Sequence, residues 1–321
     1  MTAHVVWDGG IHLPGHGLWL DPPHVRELAF VSHAHSDHSR RHGEAILTGP
    51  TWLLLPPERR PRRSQVLEYG EPTDLGSVTV TLHPASHLPG SAQLLIEHEG
   101  ARLLYTGDLR LRGPAGRTAI PAADMLIVES TYGRPHFLFP DPDEVVERLA
   151  RWCRLALDAD VIPVLLGHAL GKAQELMIEL GRYGFRFAIE ARCMRYSWIY
   201  RELGIELPDH VELDGDPGRD RVVIVPPAGK DAIRRLRRHR VAMVSGWALE
   251  DRFWRRFGAD IAFPLSHHCD FEDLVEVVRL SGAAQVYTVR GFAEDFARHL
   301  CRRGFRASPL AATEQLELGI A

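Results

Sequence analysis

The chain has 321 residues, of which 45% are hydrophobic and 25% charged, as in an average globular protein. Its formal net charge of −4 argues against a uniformly basic nucleic-acid binder, although local basic patches are compatible with that total. No uncharged apolar run reaches the ~18 residues of a membrane span. The first ten residues lack a signal-peptide pattern, and the four scattered cysteines disfavour a disulfide framework. We therefore expect a cytoplasmic protein that does not associate with membranes.

The pattern of predicted elements changes near Pro135. Before it, short strands are predicted at 18–20, 28–32, 77–83 and 124–130, with a hairpin at 92–108 that turns at Glu99-Gly100. After the proline-rich segment 135–144, helices alternate with strands, which is typical of a parallel α/β unit. The predicted helices are 143–157 and 171–183, and the predicted strands are 161–166, 221–227, 240–246 and 284–289. A helix capped by Asp270 and another at 293–303 flank the last strand.

The sequence HAHSDH at 33–38 directly follows a predicted buried strand. A strand end is rigid, and the loop after it can turn side chains inward. His33 and His35 can therefore face one metal ion, while Asp37 and His38 can face a second. Imidazole and carboxylate ligands suit Zn²⁺, Mn²⁺ or Fe²⁺. The alternative is a chance cluster in a chain with 18 histidines, but this density at one strand end favours a metal site.

Two further candidate ligands also stand at strand ends. His87 follows the alternating strand 77–83, and Asp108 follows Gly107 at the end of the hairpin. Glycine permits a tight backbone path there. A carboxylate can bridge two metal ions, and such a pair can activate a water molecule for hydrolysis. Each residue alone would be interpreted as an ordinary loop residue, but their order after HAHSDH predicts that both belong to the metal site.

This order of motifs resembles that of the metallo-β-lactamase superfamily: H-x-H-x-D-H, then a lone histidine, then Gly-Asp. The resemblance implies an αββα sandwich with two divalent ions, Zn²⁺, Mn²⁺ or Fe²⁺, at one edge. It implies two ligand groups that share Asp108, namely His33, His35 and His87 for one ion, and Asp37 and His38 for a weaker second site. Asp21 matches the first motif of the superfamily, an aspartate that supports the ligand loop.

Further residues resemble the β-CASP nucleases within this superfamily. Glu129 lies in ESTYG after a buried strand, as the acidic motif of that group does, and His268 in SHHCD matches a histidine that contacts the scissile phosphate. The neighbouring His267 and Cys269 receive no role. The group carries an α/β domain inserted between these motifs. The resemblance therefore implies an α/β fold with a sandwich made of 1–134 and 263–321, and an inserted domain at 135–262.

The compact length and the sequence LWLDP at 18–22 resemble the bacterial DNA ligase-associated exonucleases. That resemblance implies a DNA ligase or a helicase as partner. One position departs from the β-CASP pattern, because the strand 284–289 ends in Arg290-Gly291 where many members have His-Gly. Arginine stays protonated and offers no lone pair to a metal ion. We therefore expect a weakened second metal site, with the Arg290 guanidinium turned toward substrate phosphate or a neighbouring carboxylate.

Basic residues cluster at 59–63 and again between 219 and 256. Either cluster alone is interpreted as a solvated surface, but with a nuclease site the second predicts a track for a phosphate backbone. Arg235 and Arg238 are its candidate phosphate contacts.

The sequence thus predicts a metal-dependent phosphodiesterase that cleaves DNA, an exonuclease of DNA repair or processing. Asp37, His268 and Glu129 are the candidate catalytic residues, with His268 protonating the leaving oxygen or stabilising charge at phosphorus. Two alternatives stay open: an RNA-processing nuclease on the same scaffold, which only substrates distinguish, and a nucleic-acid-binding scaffold subunit with a weakened site, for which Arg290 is the support. A small-molecule hydrolase is disfavoured by the expected insertion.

Overall fold

The computed structural model describes residues 5–113 and 116–310. The strands in these ranges, in chain order, are β1 Val6–Trp7, β2 Ile11–Leu13, β3 Leu18–Leu20, β4 Leu28–Phe30, β5 Glu44–Leu47, β6 Arg63–Val66, β7 Thr73–Asp74, β8 Thr79–Pro84, β9 Ala92–His98, β10 Ala101–Tyr105, β11 Arg112–Gly113, β12 Gly116–Arg117, β13 Met125–Glu129, β14 Ile162–Leu166, β15 Arg186–Ile189, β16 His210–Glu212, β17 Arg221–Val225, β18 His239–Val244, β19 Ile261–Phe263, β20 Gln285–Val289 and β21 Ala307–Pro309.

The α-helices of the same ranges are α1 Gly49–Leu54, α2 Pro142–Asp158, α3 Lys172–Gly181, α4 Ala191–Glu202, α5 Asp251–Arg255, α6 Phe271–Ser281 and α7 Ala293–Arg302. Short 3₁₀ helices occur at Pro14–His16, Pro57–Arg59, Pro227–Arg235 and Gly246–Leu249. No helix within the described ranges has the length and apolar character needed to cross a lipid bilayer.

The described residues divide into two compact units, one made of 5–138 and 267–310 and the other of 139–266. In the first unit, β1 to β6 form one sheet in that order, and a second sheet has the order β21-β20-β13-β10-β9-β8-β7. Apolar side chains of both sheets, including Phe30, Ile46, Leu94 and Leu103, share one buried core. Burying these two faces against each other is the main source of stability in such a layered fold.

Helices α6 and α7 cover the opposite face of the seven-stranded sheet. Their residues Phe271, Leu274 and Phe296 join a second core with Leu104 and Val128 of that sheet. The α6 helix begins as the sequence predicts, because the Asp270 side chain accepts a hydrogen bond from the Asp273 amide at 2.8 Å. Paired sheets with an outer helix layer confirm the predicted α/β fold class.

The hairpin of β9 and β10 turns at Glu99 and Gly100, with φ of +47° and +82°. Positive φ at both central residues fits the right-handed twist of antiparallel strands, and this confirms the predicted turn. Strand β10 then pairs in parallel with β13, and β13 with β20. The carboxyl ends of these three strands therefore lie side by side at one edge of the sheet.

The second unit contains a parallel sheet of order β16-β15-β17-β14-β18-β19. Helices α2, α3 and α4 pack on one face through residues such as Val145, Leu176 and Cys193. The 3₁₀ helix Pro227–Arg235 and α5 pack on the other through Ile233 and Trp254. The alternation of helices and strands predicted after Pro135 is confirmed, while the domain bounds 135 and 262 stay a prediction beside the observed division at 139 and 266.

Candidate metal centre

Each predicted metal ligand follows the end of a strand in the first unit. The loop with His33 follows β4, His87 follows β8 and Asp108 follows β10. Gly107 has φ +55°, and a Cβ at this position would lie 2.7 Å from the Ser32 Cβ. Only glycine fits this approach. This glycine allows the end of β10, in the seven-stranded sheet, to lie against the ligand loop that follows β4 of the six-stranded sheet.

Four of the predicted ligands form one tight group. The ligand atoms of His33, His35, His87 and Asp108 all lie within 4.8 Å of one another. Asp108 Oδ2 is 3.5 Å from His33 Nε2 and 3.8 Å from His87 Nε2. Burial, and then neighbouring imidazoles, hold the pKa values of His33 and His87 well below the usual value. Both imidazoles are therefore neutral, which is the form that binds metal.

The two remaining predicted ligands, Asp37 and His38, meet beside this group. His38 Nε2 lies 3.2 Å from Asp108 Oδ2 and 3.4 Å from Asp37 Oδ2. His38 is fully buried, whereas the Asp37 side chain is 65% exposed. Asp108 is thus the carboxylate common to both sets of side chains, as a bridging ligand would be.

Asp21 supports the ligand loop from β3. Its Oδ2 accepts hydrogen bonds from His38 Nδ1 at 2.8 Å, Tyr105 Oη at 2.8 Å and Ser32 Oγ at 2.6 Å. Its Oδ1 accepts the Ser32 amide at 2.7 Å. Because Nδ1–H of His38 donates to a carboxylate, Nε2 is the nitrogen that faces Asp37 and Asp108. Ser32 Oγ also lies 2.9 Å from His33 Nδ1, so one hydroxyl orients two candidate ligands.

His87 is oriented by a backbone group. Its Nδ1 donates to the carbonyl oxygen of His267 at 3.2 Å, which directs Nε2 toward Asp108. The sequence assigns no role to His267. It also does not reveal that this carbonyl and the hydroxyls of Ser32 and Tyr105 orient the ligand loop. Cys269, also without a predicted role, packs in the core beneath α6.

The side chains fit a divalent ion. His38 Nε2 and Asp108 Oδ1 are buried and have no hydrogen-bond partner within the described ranges. Leaving a buried polar atom unpaired costs about 1–3 kcal/mol. A cation bound among neutral imidazoles and carboxylates would satisfy both atoms, and this donor set suits Zn²⁺, Mn²⁺ or Fe²⁺.

His268 and Glu129 form a hydrogen-bonded pair at the same strand edge, in which Glu129 is buried and His268 is half-buried. Glu129 Oε1 accepts His268 Nδ1 at 2.9 Å and the Leu109 amide at 2.8 Å, while Oε2 accepts Thr131 Oγ1 at 2.5 Å. His268 Nε2 lies 4.0 Å from Asp108 Oδ2. Burial lowers the pKa of His268, but the Glu129 and Asp108 carboxylates outweigh it and raise the value to about 8. The pair can therefore hold a proton next to the ligand cluster.

Asp108, Glu129 and His268 also have ligand atoms within 4.8 Å of one another. Glu129 already accepts hydrogen bonds from four donor atoms, so it acts as a hydrogen-bond acceptor that orients His268.

Arg290 occupies a left-handed backbone conformation, with φ +61°, at the end of β20. A Cβ on the next residue, Gly291, would lie 2.4 Å from the Ser130 carbonyl oxygen, so the chain turns closely past β13 there. Arg290 Nη1 donates to Asp37 Oδ2 at 3.3 Å. The guanidinium thus faces a carboxylate of the ligand loop, which is one of the two orientations expected from the sequence.

The candidate phosphate contacts Arg235 and Arg238 lie in the second unit and are exposed. Neither has an ion pair within the described ranges. Their neighbours do, because Arg234 pairs with Asp231 at 3.1 Å and Arg237 with Asp160 at 2.9 Å.

Comparisons with known proteins show that the chain is similar to a protein named as a ligase and to proteins named as nucleases. No protein-family model matches the chain. It is 39% identical over 329 residues to a probable DNA ligase of Opitutus terrae, an alignment that covers 100% of this chain and 32% of the ligase. It is 34% identical over 199 residues to a ribonuclease of Thermus thermophilus, covering 52% of this chain and 45% of that enzyme.

The 5′ exonuclease Apollo of Gallus gallus is 33% identical over 191 residues, covering 53% of this chain and 40% of Apollo. The chain therefore spans less than half the length of each of these relatives. A crystal structure of a protein of unknown function from Enterococcus faecalis superposes with a TM-score of 0.59 at 16% identity, covering 90% of this chain and 79% of that one. At that identity the likeness shows the fold alone.

Proposed function

This chain belongs to the β-CASP group of metallo-β-lactamase-fold proteins, and we propose that it is a metal-dependent nuclease that cleaves DNA from an end. The family expected from the motifs is confirmed. One observation carries the proposal: a buried cluster of imidazoles around Asp108 stands beside the His268–Glu129 pair. Metal ligands and a proton donor are components that metal-assisted hydrolysis of a phosphodiester uses.

In this proposal, the two ligand groups that share Asp108 would hold two divalent ions. Bound ions would neutralise charge on the phosphate and lower the pKa of a water molecule. Asp21 and the His267 carbonyl keep two of the imidazoles in the tautomer and orientation that ligation requires. The rigid strand ends hold the ligands in place before substrate binds.

His268 acts on the leaving group. Its Nδ1 is fixed by Glu129, so the opposite nitrogen, Nε2, carries the proton toward the side of Asp108. The raised pKa of about 8 keeps that proton in place at neutral pH. Donation to the leaving oxygen avoids the formation of a free alkoxide.

DNA is favoured as substrate because the relative aligned over the whole chain is named a probable DNA ligase. An enzyme that trims ends before sealing would work with a ligase, and we propose a ligase or a helicase as partner. Processing of RNA is the second candidate, and the similarity to a ribonuclease favours it. A scaffold role with a weakened site would rest on the contact between Arg290 and Asp37.

We place the protein in the cytoplasm, as the sequence suggests. Its four cysteines are free, and three of them are buried, which is compatible with a reducing compartment.

The test is hydrolysis of end-labelled single-stranded and double-stranded DNA and RNA in the presence of Mn²⁺, Zn²⁺ or Mg²⁺. We expect stepwise shortening of DNA from one end. Faster cleavage of RNA under the same conditions would favour the second candidate, and binding without cleavage by every metal form would favour the scaffold role.

Arg290→His is expected to strengthen the second metal site. The substitution removes a permanent cation from beside Asp37 and supplies an imidazole that can ligate. The bound metal per chain, measured by elemental analysis, should rise, and the metal concentration for half-maximal activity should fall. Arg290→Gln is the matched control, because it removes the charge but adds no imidazole. Two fully occupied sites in the unaltered protein would contradict the prediction.

Charge reversal of Arg235 and Arg238 together is expected to weaken DNA binding. Each arginine that contacts phosphate contributes about one unit to the slope of log affinity against log salt. The double variant should therefore lose about two units of slope. Arg234 and Arg237, which already have carboxylate partners, serve as the control pair. An unchanged slope would assign Arg235 and Arg238 to ordinary solvated surface.

A further inference from the structure

Two arginine side chains from separate segments converge on the metal-ligand loop. Arg40 lies two residues after the end of HAHSDH, and Arg59 ends the 3₁₀ helix Pro57–Arg59. The Nη1 groups of both donate to the carbonyl oxygen of Ser36. Both also donate to the carbonyl oxygen of Ser39, Arg40 at 2.8 Å and Arg59 at 3.3 Å. The two guanidinium groups therefore lie next to each other, at the residue that precedes Asp37.

Two neighbouring cations repel each other unless an anion lies between or beside them. Neither arginine has a carboxylate within ion-pair distance in residues 5–113 and 116–310. Their Nη2 groups have no acceptor in those ranges either, and Nε of Arg40 donates to the Pro23 carbonyl oxygen at 3.0 Å. The pair thus presents donors without acceptors and positive charge that no ion pair within those ranges compensates.

Other arginines of the 59–63 cluster have different surroundings. Arg60 stacks on Trp52, with its guanidinium carbon 4.1 Å from the ring centre, and Arg63 pairs with Glu44 at 3.2 Å. Arg59 is the member that turns to the ligand loop. The convergence with Arg40 is therefore specific to one position of the basic run.

We propose that Arg40 and Arg59 form a phosphate subsite, which binds the phosphate that neighbours the scissile one in the substrate strand. The planar fork of a guanidinium matches phosphate oxygens, and two forks side by side can share one phosphate. This inference rests on the proposed function, because it names a second contact of that substrate. It implies that the enzyme prefers strands with consecutive phosphates to diesters that carry a single one.

Arg59→Gln tests the subsite, with Arg63→Gln as the matched control on the same basic run. The substrate is a short single-stranded oligonucleotide, and a series of copies each carries one neutral methylphosphonate linkage. We expect Arg59→Gln to raise KM by roughly tenfold to a hundredfold, the usual weight of hydrogen bonds to a charged group, with kcat and bound metal nearly unchanged. Arg40→Gln should behave alike, and Arg59→Lys should recover part of the loss.

The neutral linkages locate the contact by a double-mutant cycle. At one linkage beside the scissile phosphate, neutralisation should raise the KM of the unaltered protein but leave the KM of Arg59→Gln unchanged. Equal sensitivity of both proteins at every linkage would overturn the subsite. A drop in metal content or kcat with KM unchanged would also overturn it, and would instead assign the arginines to bracing the loop.

A second readout separates this inference from the proposed function. Fluorescence anisotropy of the same oligonucleotides, with the full-length protein and no added metal, measures binding without hydrolysis. Loss of the same linkage-specific coupling in Arg59→Gln supports the subsite even if no form of the protein cleaves nucleic acid. Hydrolysis by the unaltered protein without any such coupling would leave the nuclease proposal standing and remove the subsite.

Discussion

Asp108→Ala is expected to abolish hydrolysis and to remove most of the bound metal. Asp108 Oδ2 lies within 4.0 Å of four imidazoles, those of His33, His38, His87 and His268. This carboxylate is the one that both ligand groups share, so its removal weakens both ions at once. If each ion contributes several kcal/mol to stabilising charge in the transition state, the rate should fall by a factor of ~10³ or more.

Elemental analysis and the end-label assay measure the two effects together. Asp108→Asn preserves the shape of the side chain and removes its charge, so it distinguishes loss of ligation from loss of packing. Asp158→Ala, at the exposed end of α2, is the matched control for removing an aspartate. Full activity and metal content in Asp108→Ala would refute the assignment of this centre.

The grouping of the candidate metal ligands could be predicted because these residues lie in short, contiguous pieces of sequence. His33, His35 and His38 share one loop, and the strands before His87 and Asp108 have clear apolar patterns. A strand that ends in a ligand is recognisable without knowing what it packs against. The structure brings these side chains within a few ångströms of one another.

The groups that orient the ligands could not be predicted in the same way. Ser32 and Tyr105 act through hydroxyls, and His267 acts through a carbonyl oxygen that every residue possesses. Their roles depend on how the two sheets approach each other, which residue types do not reveal. The convergence of Arg40 and Arg59 on one carbonyl oxygen is of the same kind, because 18 residues lie between them in the sequence.

The second unit shows a similar limit for secondary structure. Helix α4 buries Cys193, Ser197 and Tyr200, a small and partly polar set. Its apolar periodicity is weak, so the sequence did not predict this helix. The neighbouring strand β15, in contrast, buries Phe187, Ala188 and Ile189 completely, yet its four residues are too few to distinguish a strand from a loop.

His268→Ala is expected to separate binding from chemistry. The side chain lies beside the ligand cluster and is hydrogen-bonded to Glu129, so its loss should leave metal content and oligonucleotide affinity close to those of the unaltered protein. Turnover should fall by ~10²–10⁴-fold, the usual contribution of a general acid. Elemental analysis, anisotropy and single-turnover rates measure the three quantities, and His24→Ala, at an exposed histidine of the same unit, is the matched control.

The choice of leaving group tests the role that we assign to His268. In a nitrophenyl ester of a nucleotide, the leaving group is a stable nitrophenolate, and its departure needs little help from a proton donor. If His268 protonates the leaving oxygen, His268→Ala should lose far less rate on this ester than on an oligonucleotide. An equal loss on both substrates would show that His268 instead stabilises charge on the phosphoryl oxygens. Glu129→Gln should follow the pattern of His268→Ala in weaker form, because the imidazole then keeps a hydrogen-bond partner but loses the carboxylate that raises its pKa.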